Sequence, residues 1–235
     1  MIYLRSFIFN LGMWIFTIPF TTIGLLTFPL PPMQRYRFLS QWARCMLWWL
    51  RFSCGLSFTV KGRENIPDSP SIILCKHQSA WETLALQLIF PPQVWVLKRS
   101  LLLIPFFGWA LALTSPIAIN RAAGREALKQ LVILGKQRLA KQFWVVIFPE
   151  GTRTSPGERG KYHIGGAWLA SHTKTQVVPV AHNAGQFWRK NSFLKYPGVI
   201  QVSIGKPIQS DGIKADMLNQ QVENWIEAEM KTFSR

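Results

Sequence analysis

The sequence predicts an α/β domain, a largely parallel mixed sheet flanked by helices, with a membrane-associating helical segment in front of it. Three observations predict this. Beyond Gly55, short β-rich runs alternate with stretches of helical period, the pattern of strands joined by covering helices. Two of those runs end in polar, turn-forming sequence, as strands do when they open onto one shared site. No charged residue falls between Arg5 and Arg35, a run longer than the ~20 residues that cross a bilayer.

The uncharged run contains Pro19, Pro29, Pro31 and Pro32 with Thr21 and Thr22, so it reads either as a spanning helix or as a kinked, half-inserted one. Arg5 is a thin basic start for a signal peptide and no small-x-small cleavage site follows closely, so the segment is expected to be retained. From Phe38 to about Phe52, Leu39, Trp42, Met46, Trp49 and Leu50 fall at helical spacing with Arg44 and Arg51 on another face. Such a helix suits the headgroup zone, and the alternative is packing on the α/β domain. The organisation expected is residues 1–55 as a membrane-embedded or interfacial segment and residues 56–235 as the α/β domain.

Within that domain the candidate strands are Phe58 to Val60, Ile72 to Cys75, Val94 to Leu97, Ile117 to Ile119, Trp144 to Phe148, Val177 to Val180 and Val199 to Ile204. Leu128, Leu131, Val132 and Leu139 mark a helix over Arg125 to Lys141. Leu218, Val222, Ile226 and Met230 mark another over Asp216 to Lys231.

Composition narrows the function. With 49% hydrophobic residues in 235, a core is assured and disorder is set aside. The 27 Lys and Arg against 11 Asp and Glu leave a net charge of +16, which seeks a polyanion. Seven basic residues precede the first acidic one, Glu64, and they lie among Trp and Leu. That placement favours an anionic bilayer over nucleic acid. Cys45, Cys54 and Cys75 form neither a C-x-x-C pair nor an even set, so a reducing compartment is expected. No metal-ligand spacing, Walker loop or G-x-S-x-G elbow occurs, so no metal or cofactor is expected.

The chemistry is concentrated in Cys75-Lys-His-Gln-Ser-Ala-Trp-Glu-Thr83, which follows the apolar run Ser71 to Leu74. Ser79 followed three residues later by Glu82 has the form of a capping box. On one continuous helix His77 and Glu82 would lie about 140° apart. With His77 on the loop and Glu82 in the first turn, the two side chains can meet. An imidazole held by a carboxylate is the usual apparatus for taking a proton from a hydroxyl. Glu82 read alone is also a simple helix cap. A second strand exit, Val145-Val-Ile-Phe-Pro-Glu-Gly-Thr-Arg-Thr154, carries a charged, Gly-containing turn.

Taken together, His77 with Glu82, Phe148 to Arg153, Lys98 with Leu101, Pro105 and Gly108, Arg121, and Val177 to Val180 resemble the ordered blocks of the glycerophospholipid acyltransferases. They are most similar to the bacterial 1-acylglycerol-3-phosphate branch. The resemblance covers roughly residues 72 to 182. It implies the glycerolipid acyltransferase fold and transfer of a fatty acyl group from an acyl thioester, on coenzyme A or acyl carrier protein, to the hydroxyl of lysophosphatidic acid. His77 would take the hydroxyl proton and Glu82 would orient the imidazole, with no acyl-enzyme and Ser79 serving as a cap. Arg153, Arg121, Lys98 and Lys161 would supply cations for the phosphate, and Glu150, Gly151 and Thr152 would belong to the glycerol-phosphate pocket.

His163, His172 and His182 match nothing in these blocks and are read as structural or surface residues. Gly157, Gly160, Gly165 and Gly166 around Lys161 suggest a mobile flap or a plain exposed loop. The family's usual Asp after the His is Glu82 here, one methylene longer. Ser100 and Asn120 stand where acidic residues are common. The expected partners are lysophosphatidic acid, the acyl thioester, anionic membrane lipid and acyl carrier protein, with no nucleic acid. The expected location is the cytosolic face of a bacterial inner membrane. Another lyso-lipid acceptor is the nearest alternative, and a basic membrane-surface scaffold or nucleic-acid binder is the alternative of another class.

Overall fold

Two long helices lead into the sheet. In the computed structural model, which describes residues 1–105 and 107–233 with the side chains of Phe107 and Arg121 left out, α1 spans Ile2–Leu26 and α2 spans Pro32–Cys54. α1 runs through Pro19 as one helix, while Pro29 and Pro31 fall in the break before α2. Ile18 O, one residue before Pro19, accepts a hydrogen bond from Thr22 Oγ1 at 2.9 Å. α2 opens with Pro32 in its first turn and closes at Gly55, whose φ of 67° is the left-handed conformation that ends helices.

Seven strands follow: β1 (Leu56–Lys61), β2 (Ile72–Cys75), β3 (Gln93–Lys98), β4 (Ile117–Ile119), β5 (Trp144–Ile147), β6 (Val177–His182) and β7 (Gly198–Ile204). The helices between and after them are α3 (Trp81–Ile89), α4 (Phe107–Leu113), α5 (Arg125–Ala140), α6 (Gly165–Thr173), α7 (Ala184–Phe187) and α8 (Ala215–Met230). The strand order is β1-β7-β6-β2-β5-β3-β4. All neighbours pair in parallel except β6 with β7, so the sheet is mixed and mostly parallel.

Period-2 alternation divides the strands between two cores. Ile73, Cys75, Val146, Val178 and Val180 face the α2 and α3 side, with Met46, Leu50, Trp81 and Leu84. Ile72, Leu74, Val145, Ile147 and Val177 face the α5, α6 and α8 side, with Leu131, Leu169 and Val222. Phe9 of α1 and Ala43 of α2 belong to the first core, so the two N-terminal helices share it with the sheet.

The connection leaving β2 crosses over β5 to reach β3, on the α3 face. The one leaving β5 crosses over β2 to reach β6, on the α6 face. Adjacent strands whose connections depart in opposite directions open a crevice at their carboxyl ends, and here that crevice lies between β2 and β5.

Candidate active site

His77 lies two residues beyond β2, on a loop held open by its own neighbours. Its Nδ1 is 2.7 Å from Glu82 Oε1. The same oxygen accepts the backbone N–H groups of Gln78 at 2.9 Å and Ser79 at 2.8 Å, and Ser79 N–H reaches Oε2 at 3.0 Å. Glu82 therefore caps the first turn of α3 and holds the imidazole at once, joining two roles that the sequence offered as alternatives. Ser79 Oγ accepts from the N–H of Trp81 at 3.1 Å, one residue earlier in the turn than the capping-box form predicts.

Burial would push the fully buried Glu82 carboxyl up. The nearby His182 ring, the His77 hydrogen bond and the Ser79 N–H outweigh it and hold the group below the usual glutamate range. A carboxylate at Oε1 accepts from a protonated Nδ1, so Nε2 is the ring nitrogen of His77 not taken up by Glu82. The ring stacks on Phe148, centroids 3.9 Å apart and planes 10° apart, and Phe148 stacks in turn on Trp95.

The exit of β5 is fastened to that histidine. Thr154 donates its N–H to His77 O at 2.8 Å and its Oγ1 to the same oxygen at 3.2 Å. Glu150 Oε2 accepts the His77 N–H at 2.7 Å, while Oε1 takes Lys76 Nζ at 2.7 Å and Thr154 Oγ1 at 3.1 Å. Glu150 thus has both oxygens engaged by protein groups, with 0% of its side chain exposed. The resemblance puts Glu150 in the glycerol-phosphate pocket, but here it is an internal strut. Gly151 has φ 69°, the left-handed conformation that lets the chain turn. A methyl group at Gly160 would come within 2.9 Å of Glu150 Oε1, so that glycine permits a close approach.

Gly160 and Gly166 pack against Glu150 and Leu74, and Arg159 pairs with Glu223 of α8 at 2.6 Å. The segment suggested as a flap is tied to the domain.

The remaining sequence-predicted residues gather at the same carboxyl edge. Thr152 and Arg153 close the β5 turn, Lys98 ends β3, and Arg121 begins the turn after β4, its side chain lying outside the described residues. Lys161 is exposed on the stretch leading to α6. Among the described residues, no carboxylate pairs with Arg153, Lys98 or Lys161, so their charge is available to an anionic ligand. Leu101, Leu103, Ile104 and Trp109, in the segment after β3, are exposed apolar residues near this rim.

Sequence reasoning missed three participants. Lys76 is buried and bonds Glu150, Glu227 Oε1 of α8 at 2.8 Å and Glu158 O. His182, read as structural or surface, is buried beside the pair: Ala184 N–H donates to its Nδ1 at 3.2 Å, which puts the proton on Nε2. Nε2 donates to Lys76 O at 2.9 Å and lies 3.9 Å from Glu82 Oε2. Burial holds the His182 pKa below the ordinary 6.5, against the pull of Glu82. Lys190 donates to Arg153 O at 3.1 Å and Thr152 Oγ1 at 3.4 Å. The only sequence signal for these was adjacency, Lys76 to His77 and His182 to the Val177 strand.

The family model for acyltransferases matches residues 57–183, which span both strand exits and all five strands from β2 to β6. The chain belongs to the acyltransferase family. A 1-acyl-sn-glycerol-3-phosphate acyltransferase of Pseudomonas aeruginosa is 47% identical over 218 residues, covering 91% of this chain and 85% of that one. One of Saccharomyces cerevisiae is 31% identical over 198 residues, covering 79% and 63% respectively. The crystal structure of the 1-acyl-sn-glycerophosphate acyltransferase PlsC from Thermotoga maritima shares the fold. Its TM-score is 0.80 at 20% identity, over 99% of this chain and 97% of that one. In this acyltransferase the two polar strand exits meet at the β2/β5 crevice, and the N-terminal apolar helix packs on α2 and α4, with Phe9 reaching the core on the α2 and α3 side.

Proposed function

We propose that this acyltransferase moves a fatty acyl group from a thioester, on coenzyme A or acyl carrier protein, to the free hydroxyl of lysophosphatidic acid, yielding phosphatidic acid and a free thiol. The observation that carries the reading is the fastening of His77 to the Phe148–Thr154 turn. Nε2 of His77 and the guanidinium of Arg153 belong to one small edge of the sheet. Names of the relatives supply the acceptor.

In the proposed reaction, Nε2 of His77 takes the hydroxyl proton as the acceptor oxygen attacks the thioester carbonyl. Glu82 stabilises the imidazolium that forms, because its carboxylate is already ionised and oriented. Collapse of the tetrahedral intermediate breaks the carbon–sulfur bond, and the imidazolium returns its proton to the departing thiolate. Arg153, with Lys98 and Lys161, binds the acceptor phosphate, for which a guanidinium fork is well shaped. Ser79 is buried and its Oγ is taken by the Trp81 N–H, which supports direct transfer without an acyl-serine.

The site works at the cytosolic face of a bacterial inner membrane. α1 is long and apolar enough to cross a bilayer, with 22% of its most apolar window buried. Its exposed Phe7, Leu11, Trp14 and Ile18 and the exposed Leu103, Ile104 and Trp109 supply an apolar surface for lipid. The test is product identification by mass spectrometry after incubating the reconstituted protein with both donor types and a panel of lyso-lipids. Phosphatidate as the main product is expected. Preference for an uncharged lyso-acceptor would contradict the phosphate role of Arg153.

A further inference from the structure

Lys195 is a buried cation that the proposed chemistry does not use. It lies on the segment Trp188–Pro197 that joins α7 to β7, with 2% of its surface exposed and no carboxylate bonded to it among the described residues. Its ammonium donates to Asn10 Oδ1 of α1 at 3.1 Å and to Phe193 O at 2.9 Å. It also lies 5.2, 5.0 and 5.6 Å from the ring centroids of Phe9, Trp188 and Phe193. Its backbone N–H donates to Ser6 Oγ at 3.0 Å.

Desolvating an ammonium without a counter-ion is costly, and a methionine would fill the same space without that cost. What the lysine adds is direction. Three aromatic faces and two oxygens fix where its head sits, and three of those five groups belong to α1 or to the ring of Trp188 packed edge-to-face on Phe9. The segment is thereby pinned to the first turns of the N-terminal helix.

Five residues earlier, the same segment touches the active site. Lys190 donates to Arg153 O and Thr152 Oγ1, the two residues proposed to meet the acceptor headgroup. Phe187 O accepts the Tyr196 N–H at 2.9 Å and Gly55 O accepts the Gly198 N–H at 3.1 Å, so both roots of the segment are anchored. The backbone between residues 190 and 195 thus links α1, held at Lys195, to the β5 turn, reached by Lys190.

We propose that Lys195 and Lys190 are positioning residues for acceptor binding: α1, seated on Lys195, fixes the segment, and Lys190 at its other end sets the Thr152–Arg153 turn. The N-terminal helix then serves the acceptor site as well as the bilayer. This rests on the function proposed above for that turn.

The experiment uses the full chain in anionic vesicles, with Lys190→Met, Lys195→Met, the double variant and Lys190→Arg. Each single Met variant is expected to raise the acceptor KM about fivefold with kcat within about twofold, and the double variant to do no more than the worse single. Lys190→Arg should recover most of the loss. Asn10→Leu breaks the same pin from the α1 side and decides the matter if Lys195→Met does not fold. Hydrogen exchange at residues 150–154 supplies a readout independent of the acceptor, and it should quicken in Lys195→Met and Asn10→Leu. If the wild type acylates a different lyso-lipid, the function reading fails while the exchange result still tests the coupling. A wild-type KM in either single variant, additive effects in the double, or unchanged exchange at 150–154 would overturn it.

Discussion

Lys76 and Glu150 sit inside the sheet edge with 1% and 0% of their side chains exposed, each bonded to partners from distant elements. Three residues past Glu150, Arg153 is half-buried with no carboxylate partner among the described residues, and Lys161 and Lys98 are exposed in the same condition. The inner layer is satisfied by the protein, and the outer rim carries cations without carboxylate partners among the described residues. One short motif, Phe148 to Arg153, supplies both. The difference teaches that a functional block read from sequence mixes residues that build the edge with residues left unpaired at its rim, where the substrate is proposed to bind, and only burial and pairing separate them.

Glu150→Gln should give the largest effect on stability. It weakens the contact to Lys76 and to the His77 N–H, and disrupting a buried pair of this kind costs about 3 kcal/mol. Thermal unfolding in detergent micelles should fall by roughly 6–12 °C for a chain of this size. A variant that melts like the wild type but loses acceptor affinity would move Glu150 from the inner layer to the rim. Arg153→Ala should behave in the opposite way. Loss of a charge-assisted contact predicts kcat/KM for lysophosphatidate reduced by about 10–100-fold, mostly through KM, at an unchanged melting temperature. Arg153→Lys should recover part of that.

The smallest expected effect concerns pH. His182 is buried neutral with its pKa below 6.5, so as pH falls below 6.5 the unfolded chain binds a proton that the folded chain refuses. Stability therefore declines through that window. Glu82, held below its usual 4.5, adds a second loss only as pH falls below that value. Melting curves of His182→Gln across pH 7 to 5 should be flatter than those of the wild type, and equal slopes would remove His182 from the inner layer.

The sheet was legible because its strands are short, β-rich and bounded by turns. Ile72 to Cys75 and Ile117 to Ile119 are found as read, while β5 stops one residue short because Phe148 leaves the ladder to stack on His77. The helix over 38–52 was too short at its start, since Pro32 and the residues after it lack the apolar stripe but begin the helix in the N1 position proline favours. The pairing of His77 with Glu82 was legible because both lie within one strand-to-helix turn. Lys76 with Glu227, 151 residues away, and His182 with Lys76, 106 residues away, were not. Those contacts depend on strand order, which local pattern does not carry. Lys195 was unreadable for the same reason, its aromatic surroundings coming from α1 and from its own segment.

In the proposed reaction Nε2 of His77 removes the acceptor proton while the rest of the edge holds the imidazole in place. The most direct measurement is the single-turnover rate of ester formation by His77→Gln, with donor and lysophosphatidate saturating and acceptor binding measured in parallel. The account predicts a rate lower by about 10²–10⁴-fold with acceptor affinity within about twofold of the wild type. A variant that forms phosphatidate at the wild-type rate would contradict it.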